Sequence, residues 1–373
     1  MLSYSHILIA CSIAGSVFYF LILLYFREGL NRIEAGNEER KPDVSVIVPA
    51  RNEAAGIGDT LRALGGQTYP QDKLQIVLVN DRSTDETPAI MEDFASRNRN
   101  VRIVHVQAKE ASDAPKKRAI LKGIEHATGE IIVTTDADAV MHPQWIETLM
   151  RHYGDEVGLV FGYAPYRTDG PYTTLFHRLL ALEYFASGAV AASAAGRSLA
   201  LTGFGANFSY RKICFEEVGG FGEGLNHHSG DDDLLLNRIR TASSYRIRFA
   251  PEPESAVWNR PPENLKALIR QRIRFASKHL AYPGEVIAGL SLVYAVYVLV
   301  FLLILGAVFS SAFRIPLLIV LGIKTAGEWL FLRKGQDVLE KRNLLKHYPL
   351  AVLPHILYVV FFPILGQIMP RKW

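Results

Sequence analysis

The amino-acid sequence predicts an α/β fold with a mainly parallel sheet, carried between apolar segments long enough to cross a bilayer. Three observations predict it. Short β-branched runs alternate with helical spacing between residues 44 and 135. Charge is absent from long stretches near both ends, although over all 373 residues the composition is ordinary, 49% hydrophobic and 21% charged. Acidic and amide side chains gather where the β-branched runs stop.

Residues 7–26 (ILIACSIAGSVFYFLILLYF) carry no charge and suit a helix across the hydrocarbon core. They lack the basic flank and small-x-small site of a cleaved leader, so a retained anchor is expected. No Lys or Arg precedes them, whereas Arg27, Arg32, Arg40 and Lys41 follow. The positive-inside rule then places the following domain in the cytoplasm, on a multi-pass protein of the inner membrane. Residues 286–309, 315–332 and 349–369 are similarly apolar, giving about three more spans. Lys324 and Glu328, four apart, would pair inside the second of these. Pro349, Pro354 and Pro363 punctuate the last, and Arg371 and Lys372 would end it outside, against the positive-inside trend. A re-entrant final segment is the alternative. Two cysteines, Cys11 and Cys214, suit a reducing compartment. The net charge of +4, with scattered basic residues, argues against a nucleic-acid partner.

Between the spans, residues 44–49 (VSVIVP), 74–79 (LQIVLV), 101–106 (VRIVHV) and 130–135 (EIIVTT) read as strands buried on both faces. Residues 56–64, 87–97 and 116–126 have helical spacing. The alternation predicts right-handed βαβ units, whose ligands bind at the carboxyl ends of the strands. Polar motifs stand at those ends: Pro49, Ala50, Arg51, Asn52 and Glu53 after the first run, then Asn80 to Asp85 after the second. Capping of the helix near Thr87 is the plainer reading of Asp81. Asp136 and Asp138 follow the fourth run, and two carboxylates at that spacing reach one hard divalent cation. Gly230, Asp231, Asp232 and Asp233 crowd three acids before a helix. Capping accounts for one or two; adjacent anions are expected to raise each other's pKa, as a general base requires.

Residues 262–279 interleave Leu265, Leu268, Ile269, Ile273 and Phe275 with Lys266, Arg270, Arg272, Arg274 and Lys278. This reads as an interfacial helix on an anionic leaflet, with a plain surface helix as the alternative. Its Gln271 and Arg274 suit phosphate pairing. Residues 173–201, rich in Ala and Leu, fit a lipid-tail entrance or ordinary helix packing equally. His227 and His228 read as a polar loop. No nucleophile elbow, dinucleotide fingerprint, Walker A loop or zinc spacing is present in the sequence.

Taken in order, VSVIVPARNE, VNDRSTDET, KKRAILKGIEHATGEIIVTTDAD, TGFGANFSYRKICFEEVGGF, GDDDLLLNRI and QRIRF resemble family 2 glycosyltransferases of the GT-A fold, over about residues 44–275. The resemblance implies nucleotide-sugar contacts from Pro49, Ala50, Asn52 and Glu53, with Asp81 at uracil and Asp136 by the ribose. It implies Asp138 as ligand of Mg²⁺ or Mn²⁺ beside the diphosphate, and Asp232 as catalytic base. Gln271, Arg274 and Phe275 take the places of the Gln-x-x-Arg-Trp motif, which pairs with the diphosphate and borders the acceptor. Two departures stand out. Asp231, on the acceptor side, replaces Glu; Asp232 is preferred over Asp231 and Asp233 because Arg238 and Ile239 then fall in register. Phe275 replaces Trp and loses an indole donor.

The expected layout is an anchor at 1–28, a GT-A domain at 42–260, an amphipathic helix at 261–284 and a membrane region at 285–373. The expected activity is inverting transfer from a UDP-sugar to a hydroxyl of a membrane lipid or lipid-linked glycan. A polyprenyl phosphate is already ionised and needs no base, which favours a hydroxyl. A processive polysaccharide synthase is the alternative; a membrane-tethered scaffold without activity and a nucleotidyltransferase are readings of other classes.

Overall fold

A computed structural model describes residues 4–107, 114–227, 229–278, 281–340 and 342–369. His228, Arg371 and Lys372 lie outside the described residues. Along the chain run α1 (Tyr4–Gly29), β1 (Val44–Ala50), α2 (Ile57–Gly65), β2 (Leu74–Asn80), α3 (Thr87–Arg97) and β3 (Val101–His105). Then come α4 (Pro115–Glu125), β4 (Ile131–Thr134), β5 (Val140–Met141), α5 (Trp145–Met150), β6 (Val157–Gly162) and α6 (Leu175–Gly196). β7 (Phe208–Arg211), α7 (Lys212–Glu217), α8 (Asp233–Ala242), β8 (Arg246–Ala250), β9 (Val257–Trp258) and α9 (Leu265–Ala276) follow. The chain closes with α10 (Gly284–Phe309), α11 (Arg314–Leu339) and α12 (Tyr348–Ile368). These elements form two compact units, one of residues 33–169 and 194–261, the other of 1–32, 170–193 and 262–373.

The first unit is built on a seven-stranded sheet in the order β3-β2-β1-β4-β7-β6-β8. Strands β3, β2, β1 and β4 are parallel, as the strand–helix alternation predicts. β7 runs antiparallel between β4 and β6, which the sequence does not announce. Val46, Ile47 and Val48 of β1 are all inaccessible, so this strand is covered on both faces. α4 packs on β1 through Gly123, where a Cβ would come 2.5 Å from Ile47 Cγ2. β5 and β9 pair separately as a short antiparallel ribbon.

The second unit gathers α1, most of α6, and α9 to α12. Among the described residues, five helical segments, Tyr4–Arg32, Leu175–Gly196, Gly284–Phe309, Ser311–Leu339 and Leu344–Ile368, are long and apolar enough to cross a membrane by length and composition. The second adds to those expected from the sequence. α12 runs unbroken through Pro354 and Pro363. Lys324 and Glu328 pair as their spacing predicts, at 2.6 Å. Glu328 also accepts hydrogen bonds from Tyr297 Oη at 2.8 Å, Tyr19 Oη at 3.1 Å and Tyr348 Oη at 2.6 Å. Donors from α1, α10, α11 and α12 thus converge on one buried carboxylate, which offsets the desolvation that burial of an ion costs.

Candidate active site

The site begins where β1, β2 and β4 stop, at the carboxyl edge of the parallel strands. Pro49 and Ala50 end β1, and Asp81 Nα donates to Ala50 O at 2.9 Å. The two loops beyond are tied together. Asn52, in the left-handed region at φ 57°, donates its Nα to Ser83 Oγ, and its Oδ1 accepts from Thr84 Nα at 2.8 Å. Glu53 Nα donates to Thr87 Oγ1, and Ala54 Nα to Asp85 Oδ2. Asp81 is buried and accepts from Arg82 Nε at 2.7 Å. It does not cap α3: the residue before that helix is Glu86, and Thr87 Nα donates to Asp85.

Asp136 and Asp138 stand beyond β4 on a turn fixed by Thr60 Oγ1, which donates to Ala137 O at 2.7 Å. Burial, then the charge of Asp136, pushes the Asp138 carboxyl up to about 6. Burial, then Asp138 and Asp136, pushes Glu53 up to about 7, with Arg260 opposing. Glu53 and Asp138 are therefore carboxyls short of compensating positive charge, whereas Asp136 is paired with Lys116 at 2.8 Å. Among the described residues no three carboxylate, imidazole or thiol groups are close enough to hold a metal by themselves. The oxygen donors and excess negative charge fit a hard divalent ion completed by ligand oxygens and water.

The acidic run reaches this edge through two lysines that motif reading passed over. Lys116 Nζ lies 2.8 Å from both Asp136 Oδ1 and Asp231 Oδ2, joining the end of β4 to the segment before α8. Lys117, 1% exposed, donates to the carbonyls of Gly224, His227 and Ser229 at 2.6, 2.6 and 2.7 Å. It holds the loop that delivers the acidic run; His227 accordingly lies in a loop, as expected. The three aspartates have different fates. Burial works to raise the Asp231 carboxyl, but Lys116 wins and holds it below the ordinary range. The mutual elevation expected of adjacent acids is thus overturned at Asp231, because a salt bridge outweighs the repulsion. Asp233 is buried and accepts from Thr202 Oγ1 and Gly203 Nα. Asp232 Oδ1 accepts from Asp233 Nα at the start of α8, and Oδ2 from Gly205 Nα at 2.9 Å. A Cβ at Gly205 would stand 2.7 Å from Asp231 Oδ2, so any larger residue there would displace the Asp231 carboxylate.

Gln271, Arg274 and Phe275 lie on α9, in the other unit. Asn264 caps that helix by accepting from Ala267 Nα at 3.0 Å. Arg272 is buried and pairs with Glu183 at 2.8 Å, while Arg274 lies 5.6 Å from the centroid of the Phe275 ring. Leu265 and Ile269 face outward with Lys266 and Arg270, so apolar and basic side chains share the exposed face of its first turns.

The fold and the carboxylate-lined strand edge define a GT-A-like α/β domain. A mannosyltransferase of Pyrobaculum calidifontis, solved with GDP-Man and Mn²⁺, shares the fold at a TM-score of 0.57 and 20% identity, covering 96% of this chain and 99% of that one. Residues 45–219 match the family described as Glycosyl transferase family 2. The Bacillus subtilis protein named probable glycosyltransferase YdaM is 29% identical over 64% of this chain and 56% of its own length. Glycosyltransferase AglE of Haloferax volcanii is 30% identical over 56% of this chain and 64% of its own length. Poly-beta-1,6-N-acetyl-D-glucosamine synthase of Staphylococcus epidermidis is 24% identical over 71% of this chain and 61% of its own length. The chain spans less than two thirds of the length of these curated relatives.

Proposed function

We propose that this chain is a multi-pass membrane glycosyltransferase that moves a sugar, with inversion, from a nucleotide sugar to a lipid or lipid-linked hydroxyl at the cytoplasmic face. The observation that carries this reading is the juncture at Lys116, which joins the carboxylate edge of β4 to the acidic run before α8. In this reading Pro49, Ala50, Asn52, Glu53 and Asp81 border the nucleoside, with uracil at Asp81 and the ribose at Asp136. Asp138 would hold Mg²⁺ or Mn²⁺, whose charge would offset that growing on the leaving diphosphate. Gln271 and Arg274 add pairing to the diphosphate, and Asp231 and Phe275 border the acceptor.

Asp232 serves as base. Asp231 is held down by Lys116 and Asp233 is buried, whereas Asp232 is half-buried, although its own oxygens accept from Asp233 Nα and Gly205 Nα. As the acceptor oxygen bonds to C1, the bond from C1 to the diphosphate breaks, its electron pair leaves with the diphosphate, and the hydroxyl proton passes to Asp232. The exposed Leu265 and Ile269 beside Lys266 and Arg270 support an interfacial role for α9. A processive polysaccharide synthase is the second reading, favoured by likeness to the poly-N-acetylglucosamine synthase and by five candidate spans.

The test is nucleoside diphosphate release by the full chain in lipid nanodiscs, scanned over UDP- and GDP-sugars with Mg²⁺ or Mn²⁺, with and without lipid extract. Lipid-dependent release giving a single-sugar glycolipid is expected. A polymeric product would establish the second reading, and the absence of release with every donor would refute both.

A further inference from the structure

We propose that Arg260 is a further donor-binding residue, pairing its guanidinium with an oxygen of the donor diphosphate. The inference rests on the nucleotide-sugar reading above and extends it to a residue that no motif marks. Arg260 follows β9 from a rigid base. Asn259 is buried, its Nα donates to Pro165 O at 2.8 Å, and its Nδ2 donates to Ala164 O and Val257 O. Arg167 Nα donates to Asn259 O at 2.9 Å. The backbone that carries Arg260 is therefore fixed before any ligand arrives.

The guanidinium is only partly spent on the protein. Nη2 donates to Ala55 O at 3.1 Å and lies 3.6 Å from Asp59 Oδ2. Nε and Nη1 make no hydrogen bond to the protein among the described residues. Nη1 and Asp138 both approach Gly56. A Cβ placed on Gly56 would stand 3.3 Å from Arg260 Nη1 and 3.1 Å from Asp138 Cβ. Glycine at 56 thus lets the guanidinium pass beside the residue proposed to hold the metal. The side chain is 27% exposed, which strengthens its field relative to a surface arginine.

Charge balance points the same way. Lys116 is already shared between Asp136 and Asp231. A diphosphate entering beside Asp138 brings further negative charge, and a planar guanidinium with unused N–H groups is matched to phosphate oxygens. The competing account makes Arg260 a strut that holds the loop at Ala55 and contributes nothing to ligand binding.

The two accounts separate in binding measurements on the full chain in nanodiscs with Mn²⁺, using UDP and uridine, or GDP and guanosine if the wild type prefers that base. Arg260→Gln is expected to weaken the nucleoside diphosphate by about 10- to 100-fold, as loss of one charge-assisted pair implies, while leaving the free nucleoside within about twofold. Arg260→Lys, which keeps the charge, should recover part of the loss. Unchanged diphosphate binding in Arg260→Gln overturns the assignment, and so does equal loss of diphosphate and nucleoside. A wild-type chain that binds neither diphosphate overturns the assignment together with the proposed function; normal wild-type binding with an indifferent variant overturns the assignment alone.

Discussion

Replacing Lys117 with Met tests how the acidic run is delivered. The Lys117 ammonium has three N–H donors, and the carbonyls of Gly224, His227 and Ser229 take them at 2.6 to 2.7 Å. Methionine matches the stem and supplies no donor, so three acceptors lose a charged partner in a site where the lysine is 1% exposed. Each such loss costs roughly 1–3 kcal/mol if the acceptor stays dry. The loop can swing into water and recover much of that, so about 4 kcal/mol of local stability is expected to go. Hydrogen exchange should show it as faster exchange across residues 222–230, with β1 and β2 unchanged. The acids that follow then lose their placement: transfer should fall by about 100-fold or more, while nucleotide affinity holds within a few fold. Lys117→Arg should not rescue, because a planar fork cannot meet three converging carbonyls. Undisturbed exchange in that loop together with normal transfer would refute the reasoning.

Asp232→Asn should lower transfer by about 10²- to 10⁴-fold and leave nucleotide affinity within about threefold; equal loss of both removes the base assignment. Asp138→Ala should abolish the dependence of nucleotide binding on Mn²⁺, read by metal titration, and an unaltered titration counts against it as ligand. Glu252 accepts from Gly36 Nα at 2.8 Å and pairs with His152; burial raises its carboxyl, but the pairing prevails and leaves it lowered. A lowered folded-state pKa gives stability that is present above the unfolded value and lost as pH falls through the folded one. Glu252→Gln should therefore cost about 1 kcal/mol at pH 7, after allowance for solvent screening, and nothing once the native carboxyl is protonated. Melting curves across pH check this, and a cost independent of pH refutes it.

The parallel half of the sheet was legible because β1, β2 and β4 are largely buried on both faces and read as mainly apolar runs; β3, read the same way, is instead an edge strand with Arg102 and His105 exposed. β7 was not, since only its partners β4 and β6, far away in the chain, make FSYR a strand. Asp136, Asp138 and the acidic run could be found because acids at strand ends are conspicuous. Their division of labour could not. Asp231 depends on Lys116, Asp232 on Gly205 and Asp233 on Thr202, all contacts between distant segments. Lys117 looked like an ordinary first-turn lysine, and Arg260 had no local signal at all. α6 stayed ambiguous because an Ala- and Leu-rich helix satisfies a protein core and a bilayer by the same composition.

The carboxylate of Glu328 has a bearing on how this chain can be made and cut. Its lysine partner sits four residues away on α11 and emerges with it, so the pair can enter an apolar phase as a neutral unit. Its hydroxyl donors do not: Tyr19 is synthesised near the beginning of the chain and Tyr348 near its end. The network closes only when the last helix has arrived beside the first. Removing α1 would therefore do more than shorten the chain by one apolar helix. It would strip a donor from a buried anion in α11, so α1 is also a rivet of the helical bundle.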